Sequence, residues 1–274
     1  MANYTAADIK EIRESTGAGM LDVKKALDEA NGDKAKAVEI IRVKGLKGIA
    51  KREGRSASEG LIAVDVRDAE GGQVGTLVEI NSETDFVAKN AKFVALGDEA
   101  VAAAVESGAN DPADLANTPF GEALTNAGAT MGEKIVVRRI GRVQGEKVVQ
   151  YMHRTNKDLP PQVGVLVATN AGGEDAAYDV AMHIAAYSPA YLTREDVPEQ
   201  TVADERRIAE ETAKNEGKPE QALPKIVEGR LNGFFKENVL LDQPFAKDSK
   251  KSVGQFLEES GAKVTGFVRF RVGN

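Results

Sequence analysis

The segment GTLVEIN, residues 75–81, has a near copy in GVLVATN, residues 164–170. A short apolar run between a glycine and an asparagine predicts a buried strand. Each copy is followed by an alanine-rich segment that favours a helix, DEAVAAAV at 98–105 and YDVAMHIAA at 178–186. The chain therefore contains an imperfect internal repeat, which predicts two related α+β halves.

A second pair of motifs extends the repeat downstream. GEALTNAGA at 121–129 matches GQFLEESGA at 254–262, and an arginine-containing strand follows each of them. The distance between the first and second motifs is longer in the second copy, so we expect an insertion at about 193–239. Symmetry between the halves is thus predicted to be broken at one place.

The inserted segment has the pattern of a helical hairpin. Two charged helical stretches flank the breaker sequence GKP at 217–219. Ile208 on the first stretch and Ile226 and Val227 on the second supply a narrow apolar seam. We expect the two helices to pack on each other and to project from the body of the protein.

The strands of the first half begin with a β-hairpin. GLIAVDVRD at 60–68 and VGTLVEI at 74–80 are both strand-like, and a Gly71-Gly72 turn separates them. Two strands joined by so short a turn must pair antiparallel. The sheets of the predicted α+β fold are therefore expected to be antiparallel.

The first 44 residues predict a bundle of three short helices. A capping box from Thr5 to Asp8 opens the first helix, and Val38 and Ile41 are expected to face inward from the third. Met20 and Leu21 are adjacent and cannot both point inward, so at least one should be exposed. It either closes the edge of the bundle or forms a docking patch.

Residues 45–60 are rich in glycine, serine and charge and have no sustained apolar face. We interpret them as a partly helical linker, whose lysines and arginines form a solvated basic patch. The predicted organisation is an N-terminal helical bundle and linker at 1–55, a first core subdomain at 56–143 and a second at 144–274. The fold class is α+β, with the helical hairpin inserted in the second subdomain.

Composition narrows the classes of function. The 274 residues carry a formal net charge of -7, which argues against broad contact with nucleic acid. The chain has no cysteine, no membrane-spanning apolar run and no signal-peptide pattern, so we expect a cytoplasmic protein without a membrane contact.

An enzyme is disfavoured because the chain has two histidines and lacks the common phosphate-binding motifs. We expect no cofactor and no metal. Glu79, Glu83 and Asp85 are close in sequence and could bind magnesium or act as an acid–base pair. Carboxylates at a strand–helix junction are more commonly capping and solubility residues, so a metal hydrolase is the weaker alternative.

The junction NSETDFVAKN, residues 81–90, places a phenylalanine among polar residues. If Ser82 caps the following helix, Asp85 completes a capping box. The apolar stripe of that helix would run through Val87 and Val94, which turns Phe86 about 100° away from it. Phe86 is then displayed at the tip of the junction, unless Phe93 draws it into a side cluster.

Four segments together resemble the bacterial elongation factor Ts family. They are STGAGMLDVKKALDEANGDKAKAVEIIRVKG at 15–45, TDFVAKN at 84–90, MHIAAYSPAYL at 182–192 and SVGQFLEESGAKVTGFVRFRVG at 252–273. The resemblance covers essentially the whole chain in order. It implies a ubiquitin-associated-like N-terminal bundle, a core of two related subdomains and an inserted helical hairpin.

The same resemblance implies a function: guanine-nucleotide exchange on elongation factor Tu, the protein partner. Asp85 and Phe86 in the TDFV motif, with Thr84 and Val87, would enter the partner's GTP-binding domain near its magnesium site and promote GDP release. Arg13, Met20 and Leu21 would contact the same domain, and His183 would lie in the contact of the second subdomain. Some family members continue into a C-terminal helix that adds partner contact, whereas this sequence ends at Asn274.

The residues themselves leave one further reading open, a purely structural interaction protein. In that case the N-terminal bundle would capture a peptide or a partner helix, and the rest of the chain would be a dimerisation scaffold. This reading predicts that residues 1–55 alone bind the partner fully.

Overall fold

The computed structural model describes residues 3–274, so the first two residues of the predicted 1–55 unit lie outside the described residues. The N-terminal unit consists of three helices: α1 (Ala6–Thr16), α2 (Met20–Glu29) and α3 (Lys34–Arg52). The capping box between Thr5 and Asp8 is present, and Gly17 ends α1 with φ +79°. Ile12, Val23 and Leu27 are buried in the small core that the three helices share.

The inward face of α3 differs from the prediction. Ile41 is buried as expected, but Val38 is 37% exposed and Ala37 is fully buried in its place. Asp33 is the N-cap of α3. Ala37 and Ile41 are four residues apart and therefore lie on one face of the helix, whereas Val38 is turned about 100° away from Ala37. The core of the bundle is therefore filled at this position by the small side chain of Ala37 and not by that of Val38.

The first half of the core is a three-stranded antiparallel sheet with helices on one face. Its order is β1-β2-β3, and β1 and β2 form the predicted hairpin, with Ala69 paired to Gly72. The elements are β1 (Glu59–Ala69), β2 (Gly72–Ser82), α4 (Asp85–Ala88), α5 (Ala91–Ser107), α6 (Pro119–Met131) and β3 (Val136–Gly145).

The second half repeats this plan and confirms the α+β fold class. Its sheet has the order β4-β5-β8 and is also antiparallel. The elements are β4 (Lys147–His153), β5 (Val163–Thr169), α7 (Glu174–Tyr187), α8 (Glu199–Asn215), α9 (Leu223–Asn238), β6 (Pro244–Phe245), β7 (Asp248–Ser252), α10 (Val253–Glu259) and β8 (Val264–Arg271).

The sequence repeat corresponds to the two central strands. The register of β2 with β3 shifts between Glu79 and Ile80, and that of β5 with β8 shifts at the matching residues, Ala168 and Thr169. Both copies thus share a bulge as well as a strand.

The two sheets pack face to face between outer layers of helices. Ile62 and Leu77 from the first sheet contact Val148 and Leu166 from the second in one buried cluster. The repeat's glycines allow this approach, because a Cβ atom on Gly75 would lie 2.7 Å from Val148 Cγ1. A Cβ on its counterpart Gly164 would lie 2.6 Å from Ile62 Cγ2, so a larger residue at either position would push the sheets apart.

The predicted linker is partly helical, as expected, because α3 continues to Arg52 and packs on α6. A Cβ atom on Gly45 would lie 1.9 Å from the carbonyl oxygen of Ala129. Arg42 Nε donates to Asn126 Oδ1 at 3.1 Å, and Arg52 Nη1 donates to the carbonyl of Gly128 at 3.2 Å. Gly45 therefore serves close helix packing rather than flexibility, and the helical unit is docked on the core.

The inserted helices α8 and α9 pack on each other as a hairpin. Their seam differs in part from the prediction: Val227 is buried and Ile226 half-buried, but Ile208 is 47% exposed. Ala209 and Ala213 are the buried residues of α8, so small side chains let the helices approach closely.

The base of the hairpin is narrow. Tyr191 forms a parallel bridge with Val239, the amide of Tyr191 donates to the carbonyl of Asn238 at 3.1 Å, and the amide of Leu240 donates back to Tyr191 at 2.8 Å. The chain thus leaves the core and returns to it at one point. Within residues 3–274, no helix combines the length and the apolar character needed to cross a membrane.

Candidate functional site

The junction between β2 and α4 presents the predicted site residues. Ser82 is still paired with Glu59 in the sheet and is fully buried, so the helix starts two residues later than the sequence suggested. Thr84 is the N-cap, with its hydroxyl accepting from the amide of Val87 at 3.4 Å, and Asp85 is the first helical residue. The predicted capping box of Ser82 and Asp85 is therefore wrong.

Phe86 is 73% exposed, but for a reason the sequence did not reveal. α4 has only four residues, and a new helix begins after Asn90, whose side chain caps the amide of Lys92. The continuous stripe from Val87 to Val94 does not exist. Val87 and Ala88 anchor the short helix in the core, Phe93 is fully buried below it, and Phe86 is left outside.

The surroundings of Phe86 are charged. The ammonium of Lys89 lies 4.6 Å from the centre of the Phe86 ring and 3.4 Å from Asp85 Oδ2. A cation above an aromatic face contributes about 0.5–1 kcal/mol at an exposed site. Lys89 thus partly covers one face of the ring, and the rest of the side chain is free to contact another molecule.

Sequence reasoning missed the group that holds this junction. Glu133 Oε2 accepts hydrogen bonds from the amides of Glu83 and Thr84, both at 3.0 Å, and Oε1 accepts from the Thr84 hydroxyl at 2.5 Å. Glu133 follows the C-terminal glycine of α6, about fifty residues from the junction. Nothing in the spacing of the sequence pairs the two segments; the topology of the first half brings them together.

Both residues of the Met20-Leu21 pair are exposed, whereas the sequence required exposure of at least one of them. Met20 is 57% and Leu21 71% exposed, and both lie in the first turn of α2. Arg13 lines a groove of about 550 Å³ together with Asn90, the residue that ends the NSETDFVAKN junction. Docking of the helical unit therefore brings Arg13 next to the segment that carries Phe86.

His183 is placed elsewhere, and it is only 1% exposed. Its Nδ1 accepts from the amide of Ala246 at 3.2 Å, so Nε2 carries the proton and donates to Gln243 Oε1 at 2.8 Å. Burial lowers the pKa of His183, although the hydrogen bond to Gln243 acts in the opposite direction. The imidazole of His183 is therefore not available for a surface contact. Tyr187 stacks on it, with 4.7 Å between the ring centres, and is the exposed side chain here, at 56%.

The three carboxylates considered for a metal site do not converge. Glu79 is fully buried and pairs with Arg139 Nε at 2.6 Å, Glu83 accepts from the amide of Lys134 at 2.7 Å, and Asp85 pairs with Lys89. Among residues 3–274, no group of three or more His, Cys, Asp or Glu side chains is arranged to hold a metal ion.

Comparison with known proteins gives a consistent family. The family model described as elongation factor TS matches residues 83–274. A protein named elongation factor Ts from Beutenbergia cavernae is 68% identical over 280 residues, with both chains covered completely. Proteins of the same name from Micrococcus luteus and Kineococcus radiotolerans are 63% and 55% identical, again over the full length of both chains.

Proposed function

The chain belongs to the elongation factor Ts family and is a translation elongation factor, and on that premise we propose that it is the guanine-nucleotide exchange factor for elongation factor Tu. It binds the GDP-bound partner and promotes release of GDP. No covalent chemistry is required of the chain and no cofactor takes part. Its place of action is the cytoplasm, where elongation takes place.

One observation carries this proposal: a phenylalanine that is 73% exposed at the tip of a strand–helix junction held by hydrogen bonds. A single exposed aromatic needs no explanation by itself. Here the neighbouring Val87 and Ala88 are buried, so the backbone under Phe86 is anchored while its ring is not. That arrangement favours insertion of the ring into another protein, which is typical of an interface anchor.

We propose that Phe86 is a wedge between helices of the partner's GTP-binding domain, with Asp85 as its polar companion near the magnesium site. Thr84 and Val87 would complete the contact, Thr84 by capping α4 and Val87 by fixing its inner side. Magnesium supplies much of the field that holds the phosphates of GDP, so displacing the groups around the ion weakens nucleotide binding.

Thermodynamic linkage determines how strongly the factor must weaken the binding of GDP to its partner. A factor that binds the nucleotide-free partner more tightly than the GDP-bound partner must weaken GDP binding by the same ratio. A ratio of about 1,000 corresponds to about 4 kcal/mol of coupling free energy. Two or three interface residues of about 2 kcal/mol each are sufficient.

Arg13, Met20 and Leu21 are proposed as a second contact with the same domain. Two adjacent apolar side chains, 57% and 71% exposed, support an interface, and Arg13 lies in the groove that joins the helical unit to Asn90. In the second half, we assign His183 an indirect part. It would orient Tyr187, and Tyr187 would make the contact.

The test is stopped-flow release of fluorescent GDP from purified elongation factor Tu, with and without this protein. Acceleration that grows with the concentration of the protein and then saturates is the expected result. A separate assay with residues 1–55 examines the scaffold alternative, which requires full binding by that fragment. Absence of acceleration by the folded full-length chain would overturn the proposed function.

A further inference from the structure

The carboxylate of Glu133 satisfies backbone groups that neither the sheet nor the helix uses. β2 ends at Ser82, and Thr84 is the N-cap of α4, so the amides of Glu83 and Thr84 lie between two regular elements. Amides at a helix start have no partner within the helix. Glu133 Oε2 accepts from both of them at 3.0 Å, and its Oε1 accepts from the Thr84 hydroxyl.

The contact is reciprocal, which makes it stiffer than a single hydrogen bond. Glu83 Oε1 accepts from the amide of Lys134 at 2.7 Å, so each segment binds the other's backbone through a glutamate. Arg55 Nη1 lies 3.1 Å from Glu83 Oε2, and Lys134 Nζ donates to the carbonyls of Glu53 and Arg55 at 2.5 and 3.1 Å. The junction is thereby tied to the end of α6 and to the segment after α3.

Phe86 depends on this support because its own helix is too short to supply it. A four-residue helix makes few internal hydrogen bonds, and isolated turns of that length are unstable in water. The ring is mostly exposed, so packing does not orient it either. The direction of the ring is therefore set by the backbone of Glu83 and Thr84 on one side and by the buried Val87 on the other.

We propose that Glu133 is a positioning residue for nucleotide exchange: it fixes the Glu83-Thr84 backbone and so presents Phe86 in the orientation that the partner receives. This inference rests on the proposed function. A preorganised contact avoids the loss of conformational freedom on binding, which otherwise weakens the interaction. Because Glu133 acts through Phe86, its removal should matter only while Phe86 is present.

The decisive experiment is a double-mutant cycle in GDP release from elongation factor Tu. Glu133→Ala should lower the saturating release rate about tenfold, which corresponds to about 1.4 kcal/mol. In the Phe86→Ala background, the same change should lower the rate less than about twofold, because the coupled pair is already broken. Glu99→Ala, an exposed glutamate on α5, is the matched control and should leave the rate unchanged.

A conservative variant and a structural measurement separate positioning from general destabilisation. Glu133→Gln keeps a carbonyl oxygen for the two amides. Its NH₂ group replaces the oxygen that accepts from Thr84 and can instead donate to the Thr84 hydroxyl oxygen, so this variant should restore the rate to within about threefold of wild type. Hydrogen exchange should be faster in Glu133→Ala at the amides of Glu83 and Thr84 and unchanged in α7. If Glu133→Ala does not fold, Glu133→Asp, which is one methylene shorter, takes its place in the cycle.

The outcomes distinguish this inference from the function on which it rests. No acceleration of GDP release by wild type overturns the proposed function and this role together. If wild type accelerates GDP release but the losses in activation free energy from Glu133→Ala and Phe86→Ala are additive, the positioning role of Glu133 is overturned and the proposed function stands. A Glu133→Gln variant as impaired as Glu133→Ala would also overturn it, because the hydrogen-bond geometry would then not be what matters.

Discussion

Substituting Phe86 with alanine is the most direct perturbation of the proposed wedge. Complete burial of a phenylalanine side chain contributes about 1.5–3 kcal/mol. The ring is 73% exposed in the free protein, so most of this free energy is still available for binding. We therefore expect a loss of about 2 kcal/mol, which is about 30-fold in the saturating rate of GDP release.

Folding of the same variant should be nearly unchanged. An exposed side chain away from the core contributes little to stability, and the contact with Lys89 adds about 0.5–1 kcal/mol. Urea unfolding should therefore place Phe86→Ala within about 1 kcal/mol of wild type. A loss of exchange without a loss of stability is the signature expected of an interface residue.

The assay is stopped-flow release of fluorescent GDP at saturating factor. Ile208→Ala on the inserted hairpin is the control, since that apolar side chain is also exposed, at 47%, but lies far along the chain from the junction. It should release GDP at the wild-type rate. If folded Phe86→Ala stays within about threefold of wild type, the burial argument of about 2 kcal/mol is refuted.

Three further outcomes follow from the structure. Replacing both Met20 and Leu21 with alanine should raise the factor concentration for half-maximal GDP release about tenfold, which corresponds to about 1.4 kcal/mol, with the thermal midpoint unchanged. An unaltered concentration dependence would contradict the proposed second contact. Arg139→Met leaves the fully buried Glu79 without its ion pair and should lower the free energy of unfolding in urea by about 3 kcal/mol. A decrease below about 1 kcal/mol would contradict a stabilising role for this ion pair. Burial lowers the pKa of His183 in the folded protein. Below about pH 6.5 this histidine therefore binds a proton more readily in the unfolded chain than in the folded chain, and the free energy of unfolding should decrease from pH 7 to pH 5. Urea unfolding at both pH values should show a smaller drop for His183→Gln than for wild type.

The repeated pattern made the architecture predictable from sequence. GTLVEIN and GVLVATN became the central strands of matching sheets, with the bulge at equivalent residues. Gly75 and Gly164 explain why the repeat begins with glycine, since each allows the opposite sheet to approach. Periodicity also found Ile41, but it chose Val38 over the smaller Ala37, because an alanine carries almost no signal in an apolar pattern.

The candidate site was predictable only in part. The exposure of Phe86 was predicted, but from an apolar stripe along one continuous helix that the structure divides into α4 and α5. The helix start was misplaced because Ser82 and Thr84 are both good capping residues. Sheet pairing at Ser82 decided between them. The part played by Glu133 could not be predicted, because a contact across about fifty residues leaves no local pattern in the sequence.

The base of the inserted hairpin has a consequence for how this protein can vary. The entropy of closing a loop rises only with the logarithm of its length, and here the two ends already meet at Tyr191 and Val239. The arm beyond that point can therefore be shortened, extended or exchanged for an unrelated module without rebuilding either sheet. For protein engineering, the base of the hairpin is therefore a suitable point at which to graft another module.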